Sequence, residues 1–204
     1  MSMKVKMILS MLMLLLCSPM VYADEADAVT NVTREKINMV IGFLRDKTLT
    51  KADRNQKILG TIDTIFDFQT MAMLSLGKKH WSGLSETQRQ EFTNLFVKRL
   101  QDSYLEKLDL YTDEDVVVEN ANQVKKNRIE VKTLLVSKDD KKEMIYKFFE
   151  TDKSWQIYDV EVMGVSIVQT YRSQFEGVLK QETMDDLIGR MKTSADLAVP
   201  EEGK

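Results

Sequence analysis

The sequence predicts an α+β fold, with helices packed over one face of a four-stranded antiparallel sheet. Three observations carry this reading. Apolar residues recur at three- and four-residue intervals up to about residue 108, alternate with polar ones between about 113 and 162, and return to helical spacing from about 165 to 194. Helix and strand therefore come in separate blocks. The two prolines, Pro19 and Pro200, lie near the ends, so no proline interrupts an element between them. With 204 residues, 43% of them hydrophobic, a single domain over residues 24–194 can bury its own core.

Residues 1–23 read separately, as a secretory signal cut after Ala23. Lys4 and Lys6 give a basic start, Met7 to Cys17 is an apolar run, and Val21-Tyr22-Ala23 supplies a cleavage pattern. The run is about half of what a membrane span needs. Leu16 stands where a lipobox carries a small residue, which argues against lipidation at Cys17. Cleavage removes the single cysteine, so the exported chain has no disulfide and no thiol chemistry. It also removes two lysines and no acid, making the chain more acidic than its formal charge of -3. That balance offers no basic footprint for nucleic acid or an anionic membrane surface.

The first half is helical. Ile37, Ile41 and Leu44, then Ile58, Ile62, Ile65 and Phe66, each fall on one helical face. A short helix over Asp67 to Leu76 carries Phe68, Met71 and Leu74 and stops at Gly77-Lys78-Lys79. Ser85 and Gln88 form a capping box that opens a longer helix, whose stripe runs through Phe92, Leu95, Phe96, Leu100, Tyr104, Leu105 and Leu108.

Strands are expected over Asp115–Asn120, Arg128–Val136, Lys142–Glu150 and Trp155–Val162, separated by polar turns. Ile129, Val131, Thr133 and Leu135 face one way and Arg128, Glu130 and Lys132 the other, so one side is covered and one wet. In the last strand, the alternation puts Tyr158, Val160 and Val162 on one face. Gly164 ends the sheet. Val168, Tyr171, Phe175 and Val178, then Met184, Leu187, Ile188 and Met191, mark two final helices before an acidic, flexible tail over residues 195–204.

Catalytic motifs are sparse. His80, the single histidine, falls in an expected loop, so a histidine-rich metal site is ruled out and no metal or cofactor is expected. Asp63 and Asp67 read as the end of one helix and the cap of the next. No glycine-rich phosphate loop or dinucleotide fingerprint is present. What stands out is apolar surface: the short helix with Trp81 at its exit, the long stripe, and the last strand.

The segment Trp155 to Phe175 reads WQIYDVEVMGVSIVQTYRSQF. It resembles the W-x-(I/V)-Y-D-V-x-x-x-G-V-S-(L/I)-V-x-x-Y-R-x-x-F signature of the MlaC family, the periplasmic phospholipid-binding component of the Mla lipid transport system, also called the toluene-tolerance auxiliary family. Phe66-Asp-Phe68 through Leu76-Gly77, Trp81, Leu84-Ser85, Gln88-Arg89, Phe92, Leu100 and Tyr104 are similar to the family's first half in the same order. The resemblance implies a cone-shaped fold with helices over a curved sheet, an internal apolar pocket for acyl chains, and no enzymatic activity. It also implies a soluble shuttle that maintains outer-membrane lipid asymmetry. Its partners would be a phospholipid, an inner-membrane ABC transporter complex with its substrate-binding component, and an outer-membrane lipoprotein–porin complex.

On that resemblance the acyl chains are expected against Phe68, Met71, Leu74, Trp81, Phe92, Phe96, Leu100, Tyr104, Tyr158, Val160, Val162, Val168, Tyr171 and Phe175. Arg172 of the Tyr-Arg pair is a candidate for a headgroup phosphate, or equally for an ordinary ion pair. Burying a methylene contributes about 0.8 kcal/mol, so a lipid leaves a bilayer readily only for a cavity of comparable apolar area. The short helix, long helix and sheet are expected to wall it. The N-terminal helix is left out because Arg34, Glu35 and Lys36 interrupt its apolar positions. Two alternatives stay open: a small hydrolase using His80 or Asp159 as base, and a protein adaptor whose apolar faces are all core.

Overall fold

The structure, a computed structural model, describes residues 20–111, 114–138 and 140–193. The expected signal segment up to residue 19 and the expected tail over 195–204 lie outside the described residues.

Among the described residues, seven helices and five strands follow in the order expected of separate blocks: α1 (Met20–Arg45), α2 (Lys51–Ile62), α3 (Phe68–Leu76), α4 (Lys78–Ser82), α5 (Glu86–Leu108), β1 (Asp115–Lys125), β2 (Arg128–Val136), β3 (Lys141–Glu150), β4 (Trp155–Val162), β5 (Val165–Ser166), α6 (Ile167–Leu179) and α7 (Met184–Thr193). Local chemistry fixes the helix starts. The Asp67 carboxylate accepts from the Thr70 N–H at 2.8 Å, and Ser85 and Gln88 close the capping box in both directions. Thr50 and Ser166 cap α2 and α6 in the same way. Asp63 is the C-cap of α2, so the two aspartates four apart are helix punctuation.

Several boundaries differ from the expectation. His80 belongs to a short helix, because Gly77 at φ +83° turns the chain into a fresh helical turn where a loop was expected. Ile65 and Phe66 are extended: the Ile157 N–H donates to the Ile65 carbonyl and the Asp67 N–H to the Ile157 carbonyl, a parallel bridge that pins α3 to β4. β1 continues past Asn120 to Lys125 because β2 pairs with it as far as Arg128. The sheet has five strands, not four. Met163 and Gly164, both at positive φ, reverse the chain, and Val165–Ser166 pairs back onto β4.

The sheet is open, in the order β1-β2-β3-β4-β5, and antiparallel throughout. Cross-strand rows set its two faces. Val118, Thr133, Met144 and Val162 form one row; Ala121, Val131, Tyr146 and Val160 the next; Gln123, Ile129, Phe148 and Ile157 the third. These rows meet the helices. On the opposite face Lys132 lies 3.6 Å from Glu119 and 2.5 Å from Glu143, and Lys147 lies 3.3 Å from Asp159 and 2.6 Å from Glu161. Irregular pairing in β1, between Val118 and Ala121, and in β4, opposite Lys147 and Phe148, bends the sheet locally.

Candidate functional site

The apolar residues singled out by the sequence meet in the space between the helices and the sheet. Met71 from α3, Trp81 from α4, Phe92, Phe96 and Leu100 from α5, Val160 and Val162 from β4, and Val168, Tyr171 and Phe175 from α6 are buried in one continuous cluster. Phe68, Leu74 and Tyr104 are half-buried and pack against it. Its centre is a relay of rings in contact. Trp81 to Phe92 is 6.3 Å between centroids, Phe92 to Phe175 5.4 Å, Phe175 to Tyr171 5.7 Å and Tyr171 to Phe96 5.3 Å. Three of these four contacts are edge-on, the arrangement aromatic quadrupoles favour. The Tyr171 hydroxyl sits beside Arg99 and Ser103; burial pushes its pKa up, and those two neighbours only partly draw it back.

Tyr158 is not with Val160 and Val162. A β-bulge places Phe148 opposite Ile157 and Lys147 opposite Asp159, leaving Tyr158 as the extra residue. The period of two breaks there, so Tyr158 turns to the open face. Its ring is 5.9 Å from Phe149, and the Arg128 guanidinium lies over both rings at 5.1 and 5.3 Å. Burial raises the Tyr158 pKa, offset in part by the positive charges of Arg128 and Lys147.

Asp159, beside Tyr158 in the bulge and on the same face as Lys147, is nonetheless buried and is a structural hub. Its carboxylate accepts from the Ser166 hydroxyl at 2.7 Å and the Val168 N–H at 3.1 Å, and faces Lys147. It thereby ties β3, β4, β5 and the start of α6 together. Lys147 feels burial, which lowers its pKa, but Glu161 and Asp159 more than compensate and hold it above the ordinary lysine value. Among the described residues, no group of three or more His, Cys, Asp or Glu side chains is placed to hold a metal ion.

Arg172 is exposed. Its guanidinium rests over Gly77, with Nε and Nη2 each 3.7 Å from where a Cβ would stand. That is the C-terminal end of α3, where a cation is favoured by the helix dipole. No ion pair engages it among the described residues.

Sequence reasoning missed the contribution of α1. Val29 is buried in the cluster and Ala26 packs against it. Thr33 is also buried, its hydroxyl donating to the Val29 carbonyl at 2.8 Å. The signal was present: the stripe of Ile37, Ile41 and Leu44, extended backward in threes and fours, reaches Thr33, Val29 and Ala26. Beside this stretch lies a surface cleft of about 620 Å³ between α1 and β1, lined by Asp27, Thr30, Asn31, Arg34, Val118, Glu119, Asn120 and Ala121.

Helices on one face of an open antiparallel sheet, with an aromatic interior shared by both layers, define an α+β architecture whose chief feature is a large apolar interior. Residues 34–193 match the MlaC protein family, and the chain belongs to it. The intermembrane phospholipid transport system binding protein MlaC of Haemophilus influenzae is 23% identical over 121 residues, covering 57% of this chain and 56% of that protein. The match thus spans little more than half of the relative's length. A phospholipid-binding protein from Ralstonia solanacearum, solved in complex with a phospholipid, superposes with a TM-score of 0.71 at 16% identity, covering 80% of this chain and 94% of the other. That likeness is one of fold. Among the described residues, no helix is long and apolar enough to cross a membrane.

Proposed function

We propose that this protein is a periplasmic phospholipid carrier without catalytic activity, holding acyl chains in an apolar pocket opened between the helices and the sheet. It would shuttle its lipid between an inner-membrane ABC transporter complex and an outer-membrane lipoprotein–porin complex. One observation carries the reading: the apolar positions of α1, α3, α4, α5, α6 and the inner sheet rows form a single interior cluster, not several small ones. Membership of the MlaC family and the signal pattern before Ala23 support it. In this proposal the walls are the short helix, the long helix and the sheet, as the sequence suggests, with α6 added through Tyr171 and Phe175 and α1 through Val29. A carrier stabilises its cargo chiefly by apolar burial, about 25 cal/mol per Å². Conformable side chains such as Met71, Met73 and Leu74 suit a wall that must repack around chains of differing length. Asp159 has no role here as a base, since its oxygens are engaged in holding β5 and α6. Arg172 keeps its place as the sequence-based candidate for a phosphate contact.

Native mass spectrometry of the exported protein tests the proposal. The expected spectrum shows a chain beginning at Asp24 with about one copurifying phospholipid, the ratio of a single enclosed site. Repeated recovery of folded protein that neither carries nor takes up lipid would sink it.

A further inference from the structure

Among the described residues two charged side chains are buried, Asp159 and Arg99, at 5% and 8% exposed. Asp159 is engaged by Lys147, the Ser166 hydroxyl and the Val168 N–H. Arg99 lies on the apolar stripe of α5, one turn from Phe96 and next to Leu100, where a cation is taken out of water among apolar side chains. Ser103 follows one turn later on the same side of the helix, and the Tyr171 hydroxyl comes in from α6 beside both. The exposed neighbours Lys98 and Asp102 pair with each other at 2.7 Å, so they look outward while Arg99 looks in.

These groups sit inside the aromatic relay. The Tyr171 ring is 5.3 Å from Phe96 and 5.7 Å from Phe175, and the whole residue is buried, its hydroxyl included. Among the described residues no hydrogen bond of ordinary length reaches that hydroxyl. Burial pushes its pKa up against a smaller pull from Arg99 and Ser103, so at neutral pH it stays a protonated donor. A guanidinium with five donors, a phenol and a half-buried serine hydroxyl therefore converge where the surroundings are otherwise apolar.

We infer that this interior cluster is a carboxylate site and that the protein also takes a free fatty acid head-first, its carboxylate between the Arg99 guanidinium and the Tyr171 hydroxyl and its alkyl chain along the apolar interior. This rests on the carrier reading, since it uses the same interior, but the orientation is the reverse of a phospholipid's. A carboxylate matches the planar fork of a guanidinium with two oxygens and cancels its charge, and the phenol donates to one of the same oxygens. A fatty acid has one small charged end and no other polar group. A phosphodiester would carry its glycerol and its headgroup alcohol inward with it, leaving those polar groups without partners. The cluster therefore selects a monoacyl carboxylate over a phosphodiester.

The test titrates the exported protein, stripped of lipid, with laurate and with methyl laurate, which has the same chain without the charge, by isothermal calorimetry. Wild-type protein is expected to bind the acid about tenfold more tightly than the ester, the share of one charge-assisted contact. Arg99→Met is expected to bring laurate down to the affinity of the ester, and Arg99→Lys to keep part of the preference. Tyr171→Phe, which retains the ring relay, is expected to weaken laurate about threefold and leave the ester unchanged. Lys98→Met, which removes an exposed cation one residue away, is expected to change neither. The comparison of acid and ester in wild-type protein needs no variant, so it decides the matter even where Arg99→Met does not fold. Equal affinity for acid and ester in a wild-type protein that takes up phospholipid overturns the carboxylate site and leaves the carrier reading standing. Full preference for the acid in a folded Arg99→Met protein does the same. A wild-type protein that takes up neither phospholipid nor laurate overturns both.

Discussion

Replacing Asp159 by Ala removes the acceptor that joins β4 to β5 and the start of α6. The Val168 N–H and the Ser166 hydroxyl lose their partner in a nearly water-free place, Val168 being 2% exposed. Leaving a buried donor unsatisfied costs about 1 to 3 kcal/mol. Lys147 adds less, because Glu161 at 2.6 Å still answers its charge. The total comes to about 3 kcal/mol. For a domain of this size, with a urea m-value of about 2 kcal/mol/M, the unfolding midpoint should fall by about 1.5 M. Asp159→Asn keeps one acceptor oxygen and should lose roughly half as much. Urea titration followed by circular dichroism reads both. A midpoint shift for Asp159→Ala below about 0.3 M would refute the assignment of Asp159 as the hub of this corner.

Met163 adopts φ +48°, a conformation that costs a non-glycine residue about 1 kcal/mol, so Met163→Asn should raise the melting temperature by a few degrees with lipid uptake unchanged. Gly77→Ala should destabilise by about 1 to 2 kcal/mol in a denaturant titration; the cost lies in φ +83°, since the added Cβ meets Arg172 at an ordinary 3.7 Å. Burial pushes the Tyr146 phenol up to about 12, against an unfolded value of 10.0. Its contribution to stability is complete below pH 10 and is lost as the pH climbs toward 12, because the unfolded chain releases that proton first. Tyr146→Phe should therefore flatten the fall of stability measured between about pH 10 and 11.5.

Much of the fold could be read from spacing. The caps at Asp67 and Ser85, the aromatic stripe of α5 and the change of period near β1 are short-range signals, and each is found where the sequence puts it. The misplaced features depend on what lies across the chain. Tyr158 shares its parity with Val160 and Val162, but parity is preserved only in an unbroken ladder, and a bulge cannot be seen without the partner strand. The stretch from Ala121 to Lys125 has weak strand propensity on its own and is extended because β2 offers it a ladder. His80 looked like loop because glycine and two lysines signal a helix end, which is correct for α3, while the new turn of α4 starts at the same place. Charges at Arg34, Glu35 and Lys36 argued α1 away from the interior, although a helix can be charged on one side and still bury Val29 and Thr33 on the other.

The way the helices are attached determines which wall can move. α3 is pinned to β4 by two backbone hydrogen bonds through Ile157, and α6 is pinned to it through Asp159 and the Val168 N–H. Parting either from the sheet breaks buried polar contacts at about 1 to 3 kcal/mol apiece, on top of any apolar surface exposed. α1 carries no such bond near its N-terminal half. Separating Asp27 to Arg34 from Val118 to Ala121 exposes only a few side chains, and an acyl chain sliding in would cover them again. The lowest-cost opening is therefore between α1 and the bulged edge strand, where the cleft already stands. On the carrier reading, the ring relay of α4, α5 and α6, from Trp81 through Tyr171 to Phe96, would be reached from that side without disturbing the pins that keep α3 and α6 on the sheet.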